Sequence, residues 1–307
     1  MLNKLTMGVL LACILIIGYA ITREVPSKSE QEIVHIQRGS DPEIDKFIGY
    51  WDETESQVMY GTLEVWDLLT KCYDNPLHPS VKGAVLTAIN ACSYAKLDIN
   101  KETTPTTLVD RQLILYVISG IGTITSNGEN AELRSGIGVI IPPGIRFTMS
   151  NNGPGELYLY IVEEPIPRDF KPRSNMVVKD ENNLPVSTNI NRSDSDGWLF
   201  SRNDGLSTLV AMNPVTYIPR SLIPPHIHDK ETEEVWFAIS GDIFIQIGRQ
   251  RRKFPIGSAY KVPSDGRTPH SNINATQSPQ KLMWMMKVPV QETAPAEQKR
   301  RSMNGLI

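Results

Sequence analysis

The sequence predicts an all-β protein made of two antiparallel barrels in tandem, preceded by helical or irregular N-terminal sequence. Three observations carry this. From residue 111 onward, short β-branched and aromatic runs alternate with Gly, Pro and Asn turns, the pattern of a sandwich or barrel. The layout then recurs: Gly120 to Gly241 and Gly136 to Gly257 are both 121 residues apart, each with the same kind of apolar run before it. Finally, 22 prolines and 21 glycines are spread along the whole chain, which disfavours long helical bundles.

The first repeat reads Leu113-Ile114-Leu115-Tyr116-Val117-Ile118, then Thr123-Ile124-Thr125 and a turn at Asn127-Gly128. Val139-Ile140-Ile141 and Leu157-Tyr158-Leu159-Tyr160-Ile161-Val162 complete it. In the second repeat, Glu234-Val235-Trp236-Phe237-Ala238-Ile239 ends at Gly241, and Gly257 is followed by Pro263 as Gly136 is by Pro142. Asn274 parallels Asn151, with two extra residues near Gly266. These readings place a first barrel at 84–165, a connector at 166–205, a second barrel at 206–290 and a polar tail at 291–307. Residues 24–83 read as a linker and N-terminal extension.

The chain has 307 residues, enough for about two domains and a sizeable core. Lys plus Arg is 31 and Asp plus Glu is 34, a net charge of −3, so no nucleic-acid partner is expected. Cys13, Cys72 and Cys92 are too few for a disulfide scaffold, and no CxxC occurs.

Lys4 precedes an apolar run from Leu5 to Ile21, with small residues at Gly18 and Ala20. Residues 1–23 read as a cleaved signal peptide, as an uncleaved membrane anchor, or, through Leu10-Leu11-Ala12-Cys13, as a lipoprotein signal. All three export the rest of the chain to a periplasmic or extracellular space. Any membrane contact would then be through this segment alone.

Three of the five histidines fall in one block. His226 and His228 are two residues apart, so on an extended strand both project to one face. His270 lies in Gly257-x5-Pro263-x2-Gly266-x3-His270-x3-Asn274. Three imidazoles and a carboxylate would form a nitrogen/oxygen site for one divalent transition metal, among Fe, Mn, Ni, Zn and Cu.

These residues resemble the two motifs of the cupin family. In the first motif, His-x-His is followed by Glu and, six residues later, Gly. His226, His228, Glu234 and Gly241 match it with one spare residue before Glu234, which keeps Glu233 as an alternative ligand. The second motif matches with one extra residue on each side of Gly266. The resemblance implies tandem double-stranded β-helix barrels, jelly-roll-like, with the metal on His226, His228, Glu234 and His270. Counting back from Gly120, Pro105 and Thr107 fall at the first two His positions, Leu113 at the Glu and Phe147 at the third His. The first barrel is therefore expected to hold no metal.

Trp236, Gln246, Tyr260, Arg267 and Trp284 are candidates to line the pocket, Gln246 only if its hairpin keeps register. The resemblance implies a metal-dependent enzyme on a small-molecule substrate, an oxidoreductase, isomerase or lyase of the dioxygenase, decarboxylase, isomerase or lyase type. The alternative is a non-catalytic, metal-anchored binder of a carbohydrate or other small ligand. A homodimer is a candidate assembly.

Overall fold

The computed structural model describes residues 42–184, 186–188, 193–195 and 199–289. The proposed signal or anchor, Cys13, most of the linker before residue 42, the tail at 291–307 and parts of the connector lie outside the described residues. The described chain is nearly all β. Each half contributes an eight-stranded sheet and a four-stranded sheet, and these enclose one barrel.

Strand parity sets what each barrel encloses, because successive side chains face opposite sides. In the first barrel Leu113, Leu115 and Val117 point inward and join Leu63, Val65, Ala95, Phe147, Met149 and Leu159 in a dry core. Ile114 and Tyr116 point the other way, into a second cluster shared with the other barrel. There Tyr160 stacks on Phe237 with ring centroids 4.2 Å apart, and its hydroxyl donates to the Ala238 carbonyl.

The halves also exchange strands. Ile48–Tyr50 precedes the first barrel but pairs with Ser258–Lys261 of the second. Val177–Asp180 precedes the second barrel and pairs with Ile137–Ile141 of the first. The residue after each exchanged strand is held at the same kind of turn: Trp51 N donates to Gly257 O at 2.9 Å and Glu181 N donates to Gly136 O at 3.0 Å. Both glycines have positive φ, 78° and 88°, so a side chain there would strain the backbone. A Cβ on Gly257 would also lie 2.2 Å from the Trp51 ring.

Two expectations from sequence are corrected here. The first barrel does not begin at residue 84: Leu63–Lys71 pairs with Ala91–Leu97 inside its sheet, and the short helix Pro42–Asp45 leads into the exchanged strand. A register shift between Asp67 and Leu69 breaks the period-two pattern that would have revealed the strand. The second correction concerns the equivalent of His226. Phe147 pairs with Thr106 as His270 pairs with His226, so Thr106 and Leu108, not Pro105 and Thr107, stand at the two His positions. The spare residue is taken up between His228 and Glu234, where Glu231 adopts φ 70° and Thr232 N donates to Asp229 O.

Candidate metal centre

His226 and His270 meet across an antiparallel bridge, each donating its backbone N–H to the other's carbonyl. His228 lies two residues along the same extended segment. The three rings are 4.3 to 5.0 Å apart by centroid. Ligand atoms of all three lie within 4.8 Å of one another, the one such His, Cys or carboxylate group among the described residues.

Glu234 faces this cluster from the strand Glu233–Ala238. Its carboxylate contacts His228 Nε2 and lies 3.3 Å from His270 Nε2. The Trp236 indole, two residues on and on the same face, donates to Glu234 Oε1. Burial pushes the Glu234 pKa up, but the two imidazoles more than offset it and hold it at about 2. Burial lowers the His226 pKa, helped by His270. For His228 burial also acts downward, but the Glu234 carboxylate wins and the net shift is upward.

Several buried polar atoms here meet one another rather than an ordinary donor–acceptor partner: His228 Nε2 is in contact with Glu234 Oε2, His270 Nε2 lies 3.3 Å from Glu234 Oε1, and His270 Nδ1 has no hydrogen-bond partner. Buried polar groups are nearly always satisfied. Imidazole nitrogens crowded against one carboxylate fit a divalent cation, whose ligands are lone pairs rather than donors. His226 is oriented for that task, its Nδ1 lying 3.0 Å from Pro224 O, which leaves Nε2 free.

Glu233 sits on the opposite face of the strand, away from the imidazoles. Its carboxylate accepts bonds from the backbone N–H groups of Thr87, Ala88 and Ile89 and from the Thr87 hydroxyl. Lys261 Nζ lies 3.6 Å from it.

The five lining candidates separate clearly. Trp236 pairs in register with Tyr260 on one side and Trp284 on the other, so all three face the interior with Glu234. Tyr260 donates to Asn272 Oδ1, and Asn272 Nδ2 donates to the Tyr217 hydroxyl, a buried chain that sequence reasoning missed. Met286, opposite Glu234, was missed as well, since no motif marks it. Gln246 does not line the pocket: Ile247 pairs with His270, and Ile243, Ile245 and Ile247 take the inward positions, which turns Gln246 outward. Arg267 is exposed on the loop before His270, not inside the barrel.

No family model and no curated protein matches the sequence. Solved structures do match. A Pseudomonas aeruginosa protein described as putatively glyoxylate-induced aligns with TM-score 0.62 and 13% identity, over 80% of this chain and 90% of that one. Vicilin of hazelnut, Corylus avellana, aligns with TM-score 0.60 and 12% identity, over 84% and 94%. The oxalate decarboxylase of Lactobacillus farciminis, solved as a formate complex, aligns with TM-score 0.58 and 11% identity, over 84% and 93%. These neighbours are cupins, and the chain has the two-barrel cupin fold.

Proposed function

We propose that the protein binds one divalent transition metal in its second barrel, through His226, His228, His270 and Glu234, and uses it on a small-molecule substrate. The observation that supports this best is the convergence of three imidazoles, with ligand atoms within 4.8 Å of one another, beside the buried Glu234 carboxylate. The bound ion would supply Lewis acidity to a ligand entering the barrel. Glu234 contributes the negative charge that three neutral imidazoles lack. Trp236 fixes that carboxylate by donating to it, and the Tyr260–Asn272–Tyr217 chain forms a rigid polar wall beside it.

One observation favours the non-catalytic alternative. Tyr260, the titratable phenol on the interior face beside Glu234, is engaged with Asn272 and its pKa is pushed well up by burial. It is poorly suited to donate or accept a proton near neutral pH. Elemental analysis of protein purified without added metal, followed by turnover and oxygen-uptake assays on a panel of small carboxylates and carbonyl compounds, separates the readings. Metal with turnover supports the enzyme, metal with tight binding but no turnover supports the binder, and no metal in wild type overturns both.

The same proposal places the chain outside the cytoplasm, by way of residues 1–23. N-terminal sequencing of the mature protein and fractionation of the producing cell test it. An intact Met1 on soluble cytoplasmic protein would refute export.

A further inference from the structure

The outer face of the first barrel carries an aromatic cleft of about 520 Å³ that the metal centre does not use. Its floor is a cross-strand ladder. Trp66 pairs with Tyr94 and Tyr94 pairs with Tyr160 across three adjacent strands. In the next row Glu64 pairs with Lys96 and Lys96 with Tyr158. Trp51 closes one side, its ring 5.5 Å from Trp66 and edge-on to it, with Ile256 beside it. The floor is buried, Trp66 at 8% and Tyr94 at 7%, while Trp51 is 41% exposed. Isolated exposed apolar residues are unremarkable, but an exposed indole standing beside a concave aromatic floor is the arrangement of a ligand site.

The equivalent place on the other side of the protein is lined differently. Glu181 occupies the turn equivalent to Trp51, bonded to Gly136 as Trp51 is to Gly257. The 123-residue offset from Asn151 to Asn274 puts Lys281 where Tyr158 stands. There Lys281 bonds Glu181, and Glu181 also accepts from the Tyr116 hydroxyl, so that side is closed by polar contacts. On the first-barrel side the same positions carry aromatics.

The rim selects the ligand chemistry. Glu64 and Lys96 are 3.0 Å apart, and Asp98 meets the same ammonium at 3.3 Å, so this cation is already paired and does not favour an anionic ligand. The Glu64 carboxylate raises the Lys96 pKa, so the ammonium stays charged. Glu64 and Lys96 are each partly exposed, at 33% and 21%, and keep hydrogen-bonding capacity toward the cleft. The Tyr158 hydroxyl donates to Glu156 and keeps its lone pairs as acceptors. Three strands at about 4.8 Å spacing make a floor roughly 10 Å across, the width of one or two six-membered rings.

We propose that this cleft is a binding site for a neutral saccharide, one or two pyranose units, whose C–H face lies against Trp51, Trp66 and Tyr94 and whose hydroxyls bond Glu64, Lys96 and the Tyr158 hydroxyl. A sugar ring has an apolar face and a polar edge, which matches an aromatic floor with a hydrogen-bonding rim. The site is independent of the metal centre, which lies inside the other barrel.

The test is a tryptophan-fluorescence titration of the full chain with methyl glucoside, methyl galactoside, methyl mannoside, cellobiose and maltose. At least one should give saturable quenching. Trp51→Ala should weaken its affinity by about tenfold or more, as loss of a stacked ring does. Lys96→Met leaves the aromatic floor intact and should weaken it severalfold, which guards against a Trp51 variant that merely misfolds. Chelator-treated protein and His270→Ala should bind as tightly as wild type, so failure of the metal assignment would leave this result standing. The proposal is overturned if no sugar saturates by about 50 mM. It is also overturned if His270→Ala abolishes binding while Trp51→Ala does not. A dimer that becomes a monomer in Trp51→Ala by light scattering would show instead that the cleft is an interface between copies.

Discussion

Glu233 and Glu234 are consecutive in one strand and turn to opposite sides of it, one bonding the backbone of the first barrel and the other facing three imidazoles of the second. Glu233 has a partner in kind. Glu164 of the first barrel accepts from the backbone N–H groups of Ser207, Thr208 and Leu209, which lead into the second barrel. Glu233 accepts from Thr87, Ala88 and Ile89, in the loop before the strand Ala91–Leu97 of the first. Each barrel thus sends a buried carboxylate to a loop of the other. Three or more donors on each carboxylate offset its desolvation.

Glu234→Gln and Glu233→Gln should separate two functions. Glu234→Gln should reduce metal occupancy at least tenfold, because the remaining ligands are neutral. Glu233→Gln should keep the metal but lower stability by about 2–4 kcal/mol, since an amide cannot accept from all the donors that the carboxylate satisfies. Metal content by elemental analysis and denaturant midpoints read the two effects. The reverse pattern would show that the spare residue shifts the strand by one.

Much of this was legible because turn residues fix barrel geometry. Gly136 and Gly257, and Asn151 and Asn274, mark equivalent turns in both halves: Asn151 bonds Leu97 O and Gly155 O, and Asn274 bonds Tyr217 O and Ser278 O. Which of Glu233 and Glu234 faces inward was not readable from periodicity, since both faces of that strand are apolar and buried. Equally hidden were contacts between residues far apart in sequence, such as Tyr160 with Phe237 or Trp51 with Gly257. The bulge at Asp67–Leu69 hid a strand, and the position of the inserted residue, between His228 and Glu234, moved the first-barrel equivalents by one.

The first barrel should hold no metal at the place equivalent to the His cluster. Phe147 is 1% exposed there, with Tyr60 edge-on at 5.6 Å and Leu108 packed on the same core. Phe147→Ala should cost about 3–5 kcal/mol by leaving a cavity, with the metal content unchanged at one ion per chain. Two ions per wild-type chain, or a metal content that falls in Phe147→Ala, would contradict it.

The exchanged N-terminal segment should depend on one buried ion pair. Arg252 is 2% exposed, and its guanidinium donates to both carboxylate oxygens of Asp45, at 2.7 and 3.5 Å. Asp45→Ala leaves that cation buried without its carboxylate and should cost about 3–5 kcal/mol. Arg252→Met with Asp45→Leu should recover much of the loss. Urea midpoints of the three variants measure this, and an unaltered midpoint in Asp45→Ala would refute it.

The metal centre should give metal-free and metal-loaded protein opposite pH dependences. In the metal-free protein the His228 pKa is raised above its ordinary 6.5, so its contribution is fully present below 6.5 and is lost as pH rises through the raised value. Glu234 is depressed from 4.5 to about 2, so its contribution is present above 4.5 and is lost as pH falls through about 2. The His228–Glu234 pair therefore stabilises the metal-free fold most between 4.5 and 6.5. A metal ion needs the imidazoles neutral and must displace the His228 proton, so its affinity falls in that same window and rises above it. Thermal melts across the range, with chelator and with added divalent metal, should show the Tm increment from metal growing as pH rises while this pair's contribution to the metal-free Tm declines. Glu234→Gln should flatten both trends, because it removes the carboxylate that raises His228 and the charge that holds the ion. A metal increment that is largest at acid pH, or one that Glu234→Gln leaves intact, would show that the ion is held by other groups.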